Sequence, residues 1–141
     1  MKIAIVGSSH LSEGEEYTAR QFSGRILNEA IKDCAPDMLG GELILVSGGA
    51  KGVDSIAEEV AKQLRIKTII HKPLTKFWEN GYKPRNIKIA QDCDILYCFP
   101  TAFKTTACYH CKTDKHEVTG GCWTMNYAKS LNKKTHLIPL I

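Results

Sequence analysis

The sequence lacks any apolar run of the roughly 18 residues that a membrane-spanning helix needs. It also lacks internal repeats and low-complexity tracts, and strand-like residues follow Met1 without the pattern of a secretory signal peptide. These absences predict a cytoplasmic protein that has no membrane partner. At 141 residues the chain is long enough to bury a core, and we expect a single domain over residues 1–141.

The chain also lacks a strong excess of charge. Its 19 Lys and Arg residues against 15 Asp and Glu residues give a net charge of +4, and the basic residues are scattered along the sequence. This mild basicity suits an anionic small molecule and allows weak contact with nucleic acid. It gives little support to tight binding of single-stranded DNA, which needs a clearly positive groove with aromatic stacking platforms.

Short apolar runs alternate with helical patterns along the chain. The strand-like runs lie at 3–6, 43–46, 67–71, 94–99 and 135–140, and the helical patterns at 15–34, 53–64, 85–91 and 120–131. Such alternation predicts an α/β fold, a Rossmann-like three-layer sandwich in which helices cover a central parallel sheet of about five strands. A polar insertion rich in Cys and His, at about 101–119, is expected before the last helix.

Three polar loops that contain glycine follow predicted strands. In a parallel sheet such loops meet at the carboxyl edge, where ligands bind. Glycine lets the backbone approach an anion closely, and the first N–H groups of the next helix point towards it. One such loop is also how a tight strand-to-helix turn is built, but three together predict a site for a phosphate-bearing molecule. The loop residues proposed for this site are Gly7, Ser8, Ser47, Gly48, Gly49, Gly52, Gly120, Gly121 and Thr124.

Other polar residues would complete the site. Asp54 follows the second loop, where it either stabilises the helix dipole or accepts hydrogen bonds from a ribose or base. Arg85 suits phosphate recognition and Asn86 a base or sugar hydroxyl, although both could also be a solvated helix start. The aromatic residues before them, Trp78 among them, either plug the sheet end or stack on a nucleobase.

The segments K-I-A-I-V-G-S, V-S-G-G-A-K-G-V-D, P-R-N, D-C-D-I-L-Y-C-F-P and G-G-C-W-T-M-N-Y-A-K together resemble the SLOG superfamily. This superfamily includes the DNA-processing protein Smf (DprA), the YspA/YpsA-like proteins and the LOG nucleotide hydrolases. The resemblance covers nearly the whole chain except residues 101–119, and it is closest to the small YspA-like branch. It implies a Rossmann-like fold with a nucleotide-derived ligand beside the glycine loops, Asp54, Arg85 and Asn86. It is also compatible with a homo-oligomer.

The chain departs from the LOG hydrolases at the residues that carry their chemistry. LOG proteins share a P-G-G-x-G-T-x-x-E segment whose Glu serves cleavage of an N-glycosidic bond. In this chain Trp123 stands at the third glycine and Tyr127 at the glutamate. A phenol is a poor substitute for a carboxylate that stabilises an oxocarbenium ion. LOG-type hydrolysis would therefore need a carboxylate from elsewhere, such as Asp54 or Glu117.

The insertion contains a spacing typical of metal sites. Cys108, Cys111, His116 and Cys122 form a C-x2-C-x4-H-x5-C pattern, which predicts a structural Zn²⁺ with four protein ligands. His110 is an alternative to His116. The cysteines could instead be free thiols, and Cys122, beside Gly121 at a predicted helix start, could belong to the ligand pocket as a reactive thiol.

Three functions remain open from the sequence. The first is a sensor or binding module for a nucleotide-like ligand, with a zinc-stabilised insertion. The second is an enzyme that cleaves a nucleotide, similar to a nucleoside monophosphate phosphoribohydrolase, with Glu13, Glu15 or Glu16 as further carboxylates. The third is a single-stranded DNA-binding protein that resembles Smf.

Overall fold

The structure is a computed structural model that describes residues 1–34, 42–101 and 120–140. Five strands and four α-helices lie within these residues, and a π-helical turn at Trp78–Tyr82 precedes the third helix. The strands are β1 (Lys2–Gly7), β2 (Ile44–Ser47), β3 (Lys67–Ile70), β4 (Ile95–Phe99) and β5 (Lys134–Leu137). The helices are α1 (Glu13–Cys34), α2 (Val53–Gln63), α3 (Lys83–Asp92) and α4 (Gly120–Ser130).

The five strands form one parallel sheet in the order β3-β2-β1-β4-β5. The predicted α/β sandwich with a five-stranded parallel sheet is therefore confirmed. The last strand ends at Leu137, earlier than predicted, and beyond it only an isolated bridge joins Leu140 to Thr101. The amides of Ile138 and Leu140 still donate to the carbonyl groups of Cys98 and Pro100. Of the insertion predicted at about 101–119, residues 102–119 lie outside the described residues. None of the described helices combines the length and the hydrophobicity that a membrane-spanning segment requires.

The two faces of the sheet bury separate apolar clusters. On β1, Ile3 and Ile5 pack with residues of α1 and α2, whereas Ala4 and Val6 pack with residues of α3 and α4. Successive side chains of a strand point to opposite faces. A near-continuous apolar strand therefore needs helices on both sides, and this requirement produces the three layers.

The strand order reverses between β1 and β4, and here the loop after β1 is held from several sides. The Ser8 amide donates to the Phe99 carbonyl at 3.3 Å, and the Val53 amide at the start of α2 donates to the Ser8 carbonyl at 3.1 Å. Gly7 passes so close to β4 that a Cβ on it would lie 2.3 Å from the Phe99 carbonyl oxygen. The carboxyl ends of β1 and β4 are thus fixed against α2.

Replacement of Gly7 by Ala should destabilise the protein by about 1–3 kcal/mol, because the added methyl group would have to displace backbone. Gly24 provides a matched control, since a Cβ there would meet nothing within 4 Å. Gly24→Ala should stabilise α1 by about 0.5–1 kcal/mol. Urea unfolding of both variants measures the difference, and equal stability of the two would contradict the close approach at Gly7.

Candidate functional site

A cavity of about 930 Å³ opens at the carboxyl edge of the sheet, above the point where the strand order reverses. Its volume and position are those of a small-molecule site in an open α/β sheet. The structure brings most of the sequence-predicted residues to its wall: Gly7, Ser8, Gly48, Gly49, Asp54, Arg85, Asn86, Gly121 and Thr124. Ser47 and Gly52 lie behind this wall, and Gly120 begins α4 beside Gly121.

Ser47 is fully buried and holds the second glycine loop to α2. Its hydroxyl donates to Glu58 Oε2 at 2.6 Å and accepts the Gly49 amide at 3.4 Å. Glu58 was not among the residues predicted from the sequence to form the site. Its signal was its position four residues after Asp54, which places both carboxyl groups on one face of the helix.

Gly52 and Ser8 join the first two glycine loops. Gly52 has a φ of 79°, and a Cβ on it would lie 2.3 Å from the Ser8 carbonyl oxygen. Glycine is therefore required there for both its conformation and its size. The Ser8 hydroxyl accepts the Thr101 amide at 3.1 Å, so this side chain also anchors the segment that follows β4.

Asp54 accepts hydrogen bonds from the same loop that was predicted to receive a phosphate. The Ala50 amide donates to its Oδ2 at 3.3 Å, and the nearby Gly48 amide also lowers the pKa of the carboxyl group. The side chain is 5% exposed. Burial raises the pKa of Asp54 from 3.8 to about 7, against the opposing effects of Arg85 and these amides. The loop amides thus already have an acceptor.

Arg85 lies beside this loop and is half-buried. Its Nη1 donates to the Gly48 carbonyl at 2.6 Å and its Nε to Asn86 Oδ1 at 2.8 Å. Burial lowers the pKa of Arg85 and the neighbouring Asp54 raises it, but a guanidinium stays charged in proteins. Among the described residues, none accepts a hydrogen bond from Nη2, so a ligand oxygen can bind there.

Aromatic rings form another wall of the cavity. Trp78 and Tyr82 line it, and the Arg85 guanidinium lies 5.6 Å from the Tyr82 ring centroid. Behind Trp78, Trp123 makes an edge-to-face contact with centroids 5.0 Å apart, and Tyr127 stacks on Trp123 at 5.4 Å. The spacing of Trp123 and Tyr127 places them on one face of α4. The two residues that depart from the LOG pattern therefore support the cavity wall.

The cysteines divide between the described and the undescribed parts of the chain. Cys122 is fully buried in the same apolar cluster as Cys98. Cys108, Cys111 and His116 lie outside the described residues. Within residues 1–34, 42–101 and 120–140, no group of three or more His, Cys, Asp or Glu could hold a metal ion. The Zn²⁺ site stays a prediction.

The fold is similar to that of the DNA processing protein A (DprA) from Streptococcus pneumoniae. The two structures match with a TM-score of 0.65 and 21% sequence identity over 98% of this chain and 50% of that chain. This chain thus spans about half the length of DprA. No family model and no curated protein matches the sequence. At this identity the likeness shows a shared fold, which agrees with the SLOG resemblance at the level of architecture.

The buried carboxyl of Asp54 should make stability depend on pH. The folded protein retains the Asp54 proton up to a pH of about 7, whereas the unfolded chain releases it near 3.8. Stability should therefore fall as the pH rises between these values. Asp54→Asn removes this loss, and at pH 8 it should stabilise the protein by up to about 4 kcal/mol.

Urea unfolding at pH 5 and pH 8 tests this expectation. The exposed Asp33→Asn variant is the matched control and should retain the pH dependence of the original chain. An Asp54→Asn variant that is less stable than the original chain at pH 8 would contradict the expectation that ionisation of the buried Asp54 carboxyl group lowers the stability.

Proposed function

We propose that the cavity binds a nucleotide-type ligand and that the protein is a SLOG-like binding module. The observation that carries the proposal is that one cavity is lined by a guanidinium, a buried carboxyl group and an indole ring. Phosphate, sugar hydroxyl and nucleobase are the ligand groups that these three side chains recognise. The position above the strand reversal supports the same class of ligand.

The phosphate end of the ligand is assigned to the cationic side of the cavity. Arg85 offers its Nη2 edge, and the exposed Lys51 and Lys76 also line the cavity. A planar guanidinium binds phosphate oxygens in pairs, and nearby lysines add charge without fixed geometry. The chain therefore concentrates cations here although its overall charge is only +4.

The sugar and base are assigned to the buried polar and the aromatic walls. Asp54 and Asn86 are each 5% exposed and line the cavity, so their remaining hydrogen-bonding capacity suits ligand hydroxyl or amino groups. Trp78 is 38% exposed and is held in place by Trp123. A ring that is supported behind and open in front suits stacking on a base.

Binding is favoured over hydrolysis by the placement of the carboxyl groups. Glu15 forms a capping box with Ser12, in which each side chain accepts the other residue's amide. Tyr127 stacks on Trp123 and does not line the cavity, and Glu117 lies outside the described residues. Asp54 is the described carboxyl group on the cavity wall, and its amide contacts suit ligand binding.

Nucleoside monophosphates should raise the melting temperature and change the fluorescence of the two tryptophans, which lie in contact at the cavity wall. Arg85→Gln should weaken binding of the monophosphate roughly 10- to 100-fold and that of the nucleoside much less, because it removes a charge-assisted hydrogen bond worth about 1.5–3 kcal/mol.

Lys88→Gln is the matched control, since it removes one charge from an exposed position of α3 outside the cavity. Equal weakening by the two substitutions would contradict the assignment of Arg85. Chromatography of the incubated nucleotides for free base distinguishes the binding module from the nucleotide-cleaving enzyme.

A second candidate function is binding of single-stranded DNA. The likeness to a DNA processing protein favours it, as does the segment that joins β3 to α3. In this segment Lys72 and Lys76 alternate with exposed apolar residues, of which Leu74 is 89% and Phe77 is 73% exposed. Proteins that bind single-stranded DNA without sequence preference combine cationic side chains with exposed rings on which the bases stack.

Fluorescence anisotropy with a labelled single-stranded oligonucleotide at two salt concentrations tests this candidate. Binding should weaken with salt, and Lys76→Gln should reduce the slope of log K against log salt concentration by about one unit. Lys62→Gln, an exposed position near the end of α2, should leave that slope unchanged. Absence of binding at low salt would exclude the candidate.

A further inference from the structure

We propose that Asp54 controls an anion subsite formed by Arg85 and the loop at residues 48–50, and that this subsite takes a doubly charged oxyanion only when Asp54 is protonated. The proposal rests on the proposed function only in placing an anion at this wall of the cavity. It assigns Asp54 as a positioning residue that regulates what the neighbouring guanidinium can bind.

The ionised Asp54 carboxylate is itself an anion at this loop. It accepts the amide of Ala50 and lies beside Gly48, and the amide of Gly49 donates to the Ser47 hydroxyl. A glycine loop at the start of a helix ordinarily offers such amides to a ligand anion. Here the chain's own carboxyl group occupies them, so an incoming oxyanion meets a negative charge at the loop.

Arg85 provides the positive charge that the subsite needs, but it does not form an ion pair with Asp54. Its Nη1 donates to the Gly48 carbonyl, and no salt bridge joins the two side chains within the described residues. Both side chains nevertheless flank Gly48, where a Cβ would lie 2.6 Å from Nη1 and 2.9 Å from Asp54 Oδ2. The ionised Asp54 therefore offsets the charge of Arg85, and the protonated Asp54 leaves it available.

Several other charged groups face this part of the molecule. Glu58, on the same face of α2, raises the pKa of Asp54 but is bonded to Ser47 away from the cavity. Lys51 in the loop, Lys76 on the rim and Tyr82 at the start of α3 line the cavity. So does the exposed His10, which belongs to the loop after β1. None of these groups accepts a hydrogen bond from the described amides of the loop, whereas Asp54 accepts that of Ala50.

Proton linkage follows from this arrangement. Each oxyanion that binds at high pH must be accompanied by one proton, which the acid form of the buffer releases and which protonates the Asp54 carboxylate. With a pKa of about 7 for Asp54, the apparent affinity should fall about tenfold for each pH unit above that value. The affinity lost between pH 6 and pH 9 should then be roughly 100-fold.

Sulfate is the suitable probe, because its charge is constant over this pH range whereas that of phosphate is not. Isothermal titration calorimetry of the whole chain at pH 6 and pH 9 gives the affinity. Repeating it in buffers of different ionisation enthalpy gives the number of protons taken up. The original chain should lose roughly 100-fold in affinity and take up about one proton at pH 9.

Asp54→Asn should bind sulfate at pH 9 as tightly as at pH 6, without that proton uptake. His10→Gln should retain the pH dependence of the original chain. Thermal unfolding of both variants confirms that they are folded. The proposal would be overturned if the pH dependence of sulfate affinity persisted in Asp54→Asn or disappeared in His10→Gln.

The test separates this proposal from the proposed function. If nucleotides raise the melting temperature but sulfate binds neither the original chain at pH 6 nor Asp54→Asn, control of the anion subsite by Asp54 is contradicted and the proposed nucleotide site is not. If sulfate binds with the expected proton uptake but no nucleotide binds, control of the anion subsite by Asp54 is supported and the proposed function is wrong. Absence of both kinds of binding would overturn both.

Discussion

The close approach of backbone at Gly7 is the constraint on which the rest of the site depends. A Cβ there would collide with the Phe99 carbonyl oxygen, and the backbone of Gly7 is also 3.1 Å from the position of a Cβ on Gly121. Two glycines therefore allow the ends of β1 and β4 and the start of α4 to meet at one point. Bulkier residues would separate these elements and widen the floor of the cavity. The strand reversal creates the crevice, and these contacts determine how tightly it is closed.

The second glycine loop shows that a backbone suited to an anion need not bind a ligand anion. Its amides donate to Asp54 and Ser47, which belong to the same chain. Such internal bonds stabilise the loop in the absence of a ligand, and the cost of preorganisation is paid during folding. Under the proposed function, recognition of a phosphate would fall to side chains, above all to Arg85, whose position is determined by the Gly48 carbonyl and Asn86. The loop therefore positions the Arg85 guanidinium through the Gly48 carbonyl, whereas the amides of Gly49 and Ala50 already have acceptors within the chain.

The fold could be predicted from the sequence because it depends on patterns along the chain. The apolar runs and the helical periodicity of α2 are visible without coordinates, and their alternation implies a parallel sheet. The internal partners of Ser47 and Asp54 could not be predicted in the same way. A serine at a strand end can face a ligand or a helix, and only the packing of α2 brings Glu58 to within 2.6 Å of its hydroxyl. Similarly, the burial that raises the pKa of Asp54 is a property of the folded chain and has no signal in the sequence.

The aromatic residues on α4 stand at the two positions where this chain departs from the LOG pattern that it resembles. In the LOG pattern a glutamate stands where this chain has Tyr127, and a glycine where it has Trp123. Here Tyr127 stacks on Trp123 with an interplanar angle of 15°, and Trp123 supports Trp78 at the cavity wall. The two departures are therefore coupled, since a carboxylate in place of Tyr127 would leave Trp123 without its stacking partner and put a charge beside an apolar wall. This coupling supports the proposed stacking of a base on Trp78, because the rings of α4 hold that indole in place at the cavity wall.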